Sequence, residues 1–293
     1  MMVALNRMLP KLSAVLQLDA LIRSLAVNAD RPISMLLGAG ASISSGMPSA
    51  DRCIWEWKQD IFGTNNPTLR ELVGEISLAS TRKRIQHWLD NRGGFPPLGA
   101  AEEYSFYAEA CYPKPRDRRG FFQRHVKEAK PFTGYQLLPL LIRNDIVRTV
   151  WTTNFDELLA RACAAANVEC IEIGTDTQSR VLIPSGRGAL RLVSLHGDYR
   201  YDLLKNTDPE LQEQEAQLRQ AAIHDLEDHD LLVIGYGGRD RSLMATLHEA
   251  YSNDRAGRLY WSGMQDNPAP EVAELLATAK QKRHEALYVP MHA

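Results

Sequence analysis

In the stretch Ile33-Ser34-Met35-Leu36-Leu37-Gly38-Ala39-Gly40-Ala41-Ser42-Ile43-Ser44-Ser45-Gly46-Met47-Pro48, an apolar run ends in a Gly-Ala-Gly turn followed by small hydroxyl residues. Glycine lets backbone approach an anion closely, and the free N–H groups of a helix start favour negative charge. The pattern predicts a buried strand that delivers a phosphate-binding loop to a helix N-terminus, and hence a nucleotide-type ligand. Two common phosphate loops are excluded by spacing. A dinucleotide fingerprint wants glycine at its first, third and sixth positions; Gly38 and Gly40 fit, but Ile43 stands sixth and the next glycine is Gly46. A Walker loop ends in Gly-Lys-Ser/Thr, and no lysine lies near this one.

Three further apolar runs end in polar or glycine-rich turns. Val150-Trp151 leads into Thr152-Thr153-Asn154-Phe155-Asp156. Asn154 or Asp156 could serve simply as a helix N-cap, but one cap suffices for one helix, and the remaining polar groups are a surplus. Leu192-Val193-Ser194-Leu195 leads into His196-Gly197-Asp198. Histidine exchanges a proton near neutral pH with little tuning, and the glycine after it leaves room for a ligand. Val233-Ile234 leads into Gly235-Tyr236-Gly237-Gly238, where a ribose or adenine could pass close to the backbone.

These residues need a scaffold that gathers strand ends. Strands are expected at Ile33–Leu37, Val147–Trp151, Glu169–Ile173, Leu190–Leu195, Leu231–Ile234, Arg258–Trp261 and Ala286–Val289. Helical patterns occupy Asp156–Ala166, Pro209–Leu226, Arg241–Tyr251 and Ala269–Ala279, and another runs from Leu9 to Val27. Such alternation predicts an α/β fold, a Rossmann-like parallel sheet with helices on both faces. In that fold, ligands bind at the carboxyl ends of the strands, where all four turns would lie. From about Ser49 to Leu141 the pattern is helical without a convincing strand and dense in aromatics (Trp55, Trp57, Trp88, Tyr104, Tyr107, Tyr112). That segment is expected to form a helical insertion lobe with an aromatic core, inside one domain spanning residues 1–293.

Bulk properties narrow the partners. With 34 Lys and Arg against 36 Asp and Glu, the net charge of −2 gives no electrostatic argument for direct nucleic-acid binding. The basic clusters Arg82-Lys83-Arg84 and Arg116-Asp117-Arg118-Arg119 are short and read as solvated faces. Hydrophobic residues at 44% and charged residues at 24% are those of a soluble globular protein. The four cysteines, Cys53, Cys111, Cys163 and Cys170, form no C-x-x-C pair, so reduced thiols, a cytoplasmic location and no metal are expected. No apolar run reaches the length of a membrane span, and no signal peptide is evident. The chain stops directly after a strand-like run at Ala293, which suggests the N-terminal part of a longer protein.

The ordered set Gly-Ala-Gly-x-Ser-x-x-x-Gly-x-Pro, then Thr-x-Asn-x-Asp, then His-Gly, resembles the sirtuin family over about residues 33–262. The resemblance implies NAD in a crevice between a Rossmann-like sheet and a small lobe. It implies that Gly38, Ala39, Gly40, Ser42, Gly46 and Pro48 line the dinucleotide pocket; Thr152, Gly235 and Gly237 are expected beside them from their place at the strand ends. It gives Asn154 and Asp156 to the nicotinamide ribose and makes His196 the catalytic histidine. The departures carry information too. Ser49-Ala50-Asp51-Arg52 stands where deacylating sirtuins carry Asp-Phe-Arg, Thr153 replaces their glutamine, and the four-cysteine zinc module is absent. These departures, with the Thr152–Leu159 run and Tyr260-Trp261-Ser262-Gly263, look like the divergent bacterial branch found in antiviral defence. That branch implies an NAD glycohydrolase releasing nicotinamide and ADP-ribose, controlled by homo-oligomerisation or by a sensor or ATPase partner. The alternatives are an NAD-dependent protein deacylase and a non-catalytic NAD or ADP-ribose sensor.

Overall fold

Seven parallel strands form a single sheet in the computed structural model, which describes residues 15–27, 30–100, 102–154, 156–174, 177, 186–195 and 208–291. The strands are β1 (Ile33–Leu37), β2 (Val147–Thr152), β3 (Cys170–Ile173), β4 (Leu190–Ser194), β5 (Asp230–Ile234), β6 (Leu259–Gly263) and β7 (Ala286–Pro290), in the order β3-β4-β2-β1-β5-β6-β7. Every adjacent pair is parallel. All seven expected strands are present, their ends shifted by a residue or two. Chain order reverses direction at β1, which lies between β2 and β5. An open α/β sheet forms its ligand crevice at such a switch point.

Ten α-helices are among the described residues: α1 (Leu18–Val27), α2 (Ala50–Asn65), α3 (Ala79–Arg92), α4 (Glu103–Cys111), α5 (Pro115–Glu128), α6 (Thr133–Arg143), α7 (Leu158–Ala165), α8 (Asp208–Asp228), α9 (Arg241–Tyr251) and α10 (Pro270–Gln281). The N-terminal helix starts later than its periodicity suggests. Val15 instead bridges Tyr288, and the Leu16 amide donates to the Tyr288 carbonyl at 2.9 Å, so this stretch extends along β7. Residues 9–14 lie outside the described set.

Strand alternation divides the apolar groups between two faces. Ile33, Met35 and Leu37 of β1 join Val150, Leu192 and the inner residues of α6 and α7. Leu36, Trp151 and Val193 join α8, α9 and α10 on the opposite face. The insertion has its own core, in which Trp55, Trp57, Ile85, Leu89, Tyr107 and Phe121 are buried together. Among its described residues no strand occurs. At the centre of this lobe Lys58 is wholly buried. Its ammonium donates to Gln86 Oε1 at 2.8 Å and Glu103 Oε1 at 2.6 Å, and sits 4.5 Å from the ring centre of Trp55. A buried charge is tolerated only with this kind of pairing.

The face shared with α8 holds a second buried charge. Asp225, on the last turn of α8, is 5% exposed. Its Oδ2 accepts from Ser34 Oγ at 2.5 Å and Trp151 Nε1 at 2.9 Å. Its Oδ1 accepts from Thr149 Oγ1 at 3.0 Å and Arg191 Nη2 at 2.7 Å. His229 Nδ1 lies 3.1 Å from Oδ1. One carboxylate thus ties α8 to β1, β2 and β4. Burial pushes its pKa up, but the His229 contact and the donors from Ser34 and Trp151 outweigh it and hold the pKa below the usual value.

Candidate functional site

The Gly38 loop and the Gly235 loop leave adjacent strands at the switch point and pack backbone against backbone. The Gly38 amide donates to the Ile234 carbonyl at 3.0 Å, and the Gly40 amide to the Gly235 carbonyl at 2.9 Å. A Cβ on Gly38 would stand 2.5 Å from the Gly235 oxygen, and one on Gly40 2.8 Å from the Gly235 Cα. Gly235 itself has φ +68°, and a Cβ there would run into the Ala41 nitrogen. Close packing of two loops therefore accounts for these three glycines. At Gly237, which is exposed, a Cβ would meet nothing within 4 Å. Gly235→Ala is expected to cost at least the roughly 1–2 kcal/mol of a left-handed non-glycine residue, and to lower the melting midpoint by at least about 2–3 °C. In the same thermal melts Gly237→Ala stays within about 0.5 kcal/mol of the parent.

The loop differs locally from the expected strand-to-helix joint. After Gly38 the chain enters a tight 3-10 turn, Ala39–Ser45, closed by Gly46 at φ 98°. Helix α2 begins only at Ala50, capped by Ser49, whose Oγ accepts from the Arg52 amide at 3.2 Å. Ala39 and Gly40 are exposed at the tip, whereas Pro48 is buried. The amides of Gly38, Gly40 and Ala41 all have acceptors within the protein. The loop therefore offers fewer free N–H groups than a helix N-terminus does, because it is bonded to its neighbour across the switch point.

Below this turn Ser42 is the meeting point of three elements: the turn itself, α6 and the loop between β2 and α7. It is 1% exposed. Its Oγ donates to Asp156 Oδ2, which uses its one proton. It then accepts from Tyr135 OH, 2.8 Å away on α6, and from Asn154 Nδ2 at 3.0 Å. The second Nδ2 hydrogen of Asn154 goes to the Gly38 carbonyl at 3.0 Å. The Asn154 backbone amide donates to Thr152 Oγ1 at 2.9 Å, and that hydroxyl donates to the Leu37 carbonyl at 3.1 Å. Both amide hydrogens of Asn154 are thus committed to the loop, and its Oδ1 is the acceptor these bonds leave over.

Asp156 is buried at 5% exposure, and its Oδ1 accepts from the Leu158 amide at 3.1 Å, a cap on the first turn of α7. Burial raises its pKa above the usual carboxylate value despite the Ser42 and Leu158 donors. Burial, with the nearby Asp156 charge, likewise raises the Tyr135 hydroxyl. Asn154 and Asp156 are brought to the same serine but do not bond each other. The structure thus gathers Gly38, Ala39, Gly40, Ser42, Thr152, Asn154, Asp156 and Gly235 around the ends of β1, β2 and β5. Gly46 and Pro48 belong to the far end of the same turn. His196, like Phe155, lies outside the described residues.

Tyr135 was not singled out in the sequence, where the aromatics of the helical span read as lobe core. It belongs instead to the sheet-facing side of α6, and no motif spacing marks it. Ser45 makes a parallel connection: its carbonyl accepts from the Lys130 amide at 2.9 Å and its hydroxyl from the Phe132 amide at 3.1 Å. The turn is therefore held at its middle and at its C-terminal end by the segment that leaves the lobe. Among the described residues no group of three or more His, Cys, Asp or Glu side chains is placed to hold a metal. None of their helices is long and apolar enough to cross a membrane.

The fold and the placement of this cluster define an α/β protein of Rossmann-like architecture with a polar site at its switch point. Residues 148–287, from β2 to β7, match the family model of the SIR2-like domain. No curated protein matches. Among solved structures, a Sir2 mutant with a p53 peptide and NAD is similar at 15% identity and a TM-score of 0.39, over 89% of this chain and 95% of that one. Sir2Tm bound to a propionylated peptide is similar at 16% identity and a TM-score of 0.35, over 93% and 87%.

Proposed function

We propose that this chain binds NAD at the Gly38–Ser42 turn and hydrolyses its nicotinamide–ribose bond, as an NAD glycohydrolase. The observation that carries the reading is the convergence of Asn154, Asp156 and the Gly38 loop on Ser42 at the switch point. The SIR2-like match over residues 148–287 supports NAD as the ligand class.

The reaction is NAD plus water to nicotinamide, ADP-ribose and a proton. Nicotinamide leaves from a cationic ring nitrogen, so the departing group needs no strong acid. Catalysis then rests on orienting the ribose and its nucleophile around an oxocarbenium-like transition state. Asn154, fixed through both amide hydrogens, presents Oδ1 to a ribose hydroxyl or to the attacking water. Asp156 acts through Ser42, holding the turn and placing negative charge beneath the developing cation. His196 takes the proton from water, a role that rests on the family resemblance. The sequence departures from deacylating sirtuins support a role in bacterial antiphage defence, in the cytoplasm.

The test is incubation of the purified chain with NAD, alone and with candidate activators, followed by product identification. Nicotinamide and ADP-ribose forming without any peptide is the expected result. Product that appears only with an acyl-peptide would establish a deacylase, and NAD binding without turnover under every condition would establish a sensor.

A further inference from the structure

The connection from β5 to α9 brings two arginines to the crevice. In a parallel sheet the helix after a strand starts at that strand's carboxyl end, so the first turn of α9 opens on the edge where the Gly38 loop lies. Arg239 and Arg241 bracket Asp240 there, just beyond Gly235, whose carbonyl accepts from the Gly40 amide. Both are exposed, and among the described residues neither has an acid, a carbonyl or an aromatic ring as partner. Asp240 between them is committed to the helix, its Oδ1 accepting from the Leu243 amide at 3.0 Å as the cap of α9. Arg241 is the first residue of α9, where the helix dipole favours an acid and disfavours a cation. Local structure therefore gives no reason for two guanidiniums at this place.

The loop across the switch point has the opposite deficiency. The amides of Gly38, Gly40 and Ala41 are bonded within the protein, and the Asp156 carboxyl lies beneath them. A dinucleotide brings a diphosphate with two negative charges, which needs donors or cations once it leaves water. Of the cations on the elements around the turn, Arg52 pairs with Glu56 at 2.8 Å and Arg161 donates to the Val126 carbonyl at 3.3 Å. Lys130 stands at the C-terminal end of the turn, by Ser45. Guanidinium groups meet phosphate oxygens in paired hydrogen bonds, and two of them match two phosphates. We propose that Arg239 and Arg241 bind the diphosphate of the dinucleotide, and that the site thereby selects nucleotides bridged by a diphosphate over those with a single phosphate. The inference rests on the NAD reading of the crevice and adds to it the residues that recognise charge.

Isothermal titration calorimetry of the intact chain with ADP-ribose, ADP, NAD and nicotinamide mononucleotide tests the assignment without turnover as the readout. ADP-ribose and ADP are expected to bind the parent, about tenfold more weakly after Arg239→Gln or Arg241→Gln and about a hundredfold more weakly after both. Nicotinamide mononucleotide, with one phosphate, loses less. Lys83→Gln, an equal change of charge at an exposed position of α3, leaves every affinity as it was. Arg241→Gln keeps or slightly raises the melting midpoint, because it takes a cation from a helix start. Diphosphate affinities equal in the parent and the double variant overturn the proposal and leave the NAD reading standing. A parent that binds ADP through these arginines but does not bind NAD overturns the NAD reading instead, and one that binds neither overturns both.

Discussion

Asn154→Ala is expected to slow NAD loss by about 10²–10⁴-fold while the protein remains folded. Asn154 is only half-buried, and its removal leaves the Gly38 carbonyl and one lone pair of Ser42 without a donor close to solvent. Water can replace both, so the stability cost is on the order of 1 kcal/mol. What water cannot restore is a fixed amide oxygen at the strand end. The variant should therefore lose turnover far more than melting temperature, measured by nicotinamide release and by thermal denaturation. Asn154→Asp keeps the shape but removes both donors and brings a carboxylate beside the Gly38 carbonyl and Asp156, so it should be no better than alanine. A variant that consumed NAD at the parental rate would remove Asn154 from the site.

The scaffold was legible because its physics is local. Runs such as Ile33–Leu37 and Leu231–Ile234, bounded by glycine, can be little else in a chain that alternates with amphipathic helices. The position of Asn154 and Asp156 just past a strand end was legible for a similar reason. Their division of labour was not. Asp156 turns down to Ser42, 114 positions earlier in the chain, and that direction is fixed by packing rather than by neighbours in sequence. The glycines carried a different message from the one their spacing suggests. Gly38, Gly40 and Gly235 are needed where two backbones touch, and the same contact engages the amides that a free loop would offer to a phosphate.

The Asp225 cluster was invisible for the opposite reason. Ser34 and Arg191 each interrupt an apolar run, and Thr149 follows Arg148 inside a third, which is a signal, because a polar group inside a parallel strand must find a partner. The partner is one aspartate in the last turn of a long polar helix, where acids are commonplace. No spacing rule connects them, and only the sheet order brings β1, β2 and β4 under one carboxylate.

Asp225→Ala is accordingly expected to cost more stability than any other single change considered, about 3–5 kcal/mol, since it strips a largely enclosed guanidinium of its countercharge and orphans three further buried donors. The anchored groups come from three adjacent strands, so the loss is felt across the centre of the sheet rather than at one helix end. Asp225→Asn keeps one acceptor but sets an N–H against the donors, and should fall between alanine and the parent. The double change with Arg191→Met tests the pairing, because removing both charges leaves less to desolvate; its loss should be smaller than the sum of the two single losses. The pH dependence has a fixed sign. The carboxyl is held below its usual pKa in the folded state, so the unfolded chain takes up the proton first as pH falls. This contribution is complete above about pH 4, the ordinary aspartate value, and is lost progressively below it. In urea denaturation followed between neutral pH and pH 3, the parent should lose stability in that acid range, and Asp225→Ala should show a shallower decline. Equal slopes in the two proteins would mean that the carboxylate is not what ties α8 to the sheet.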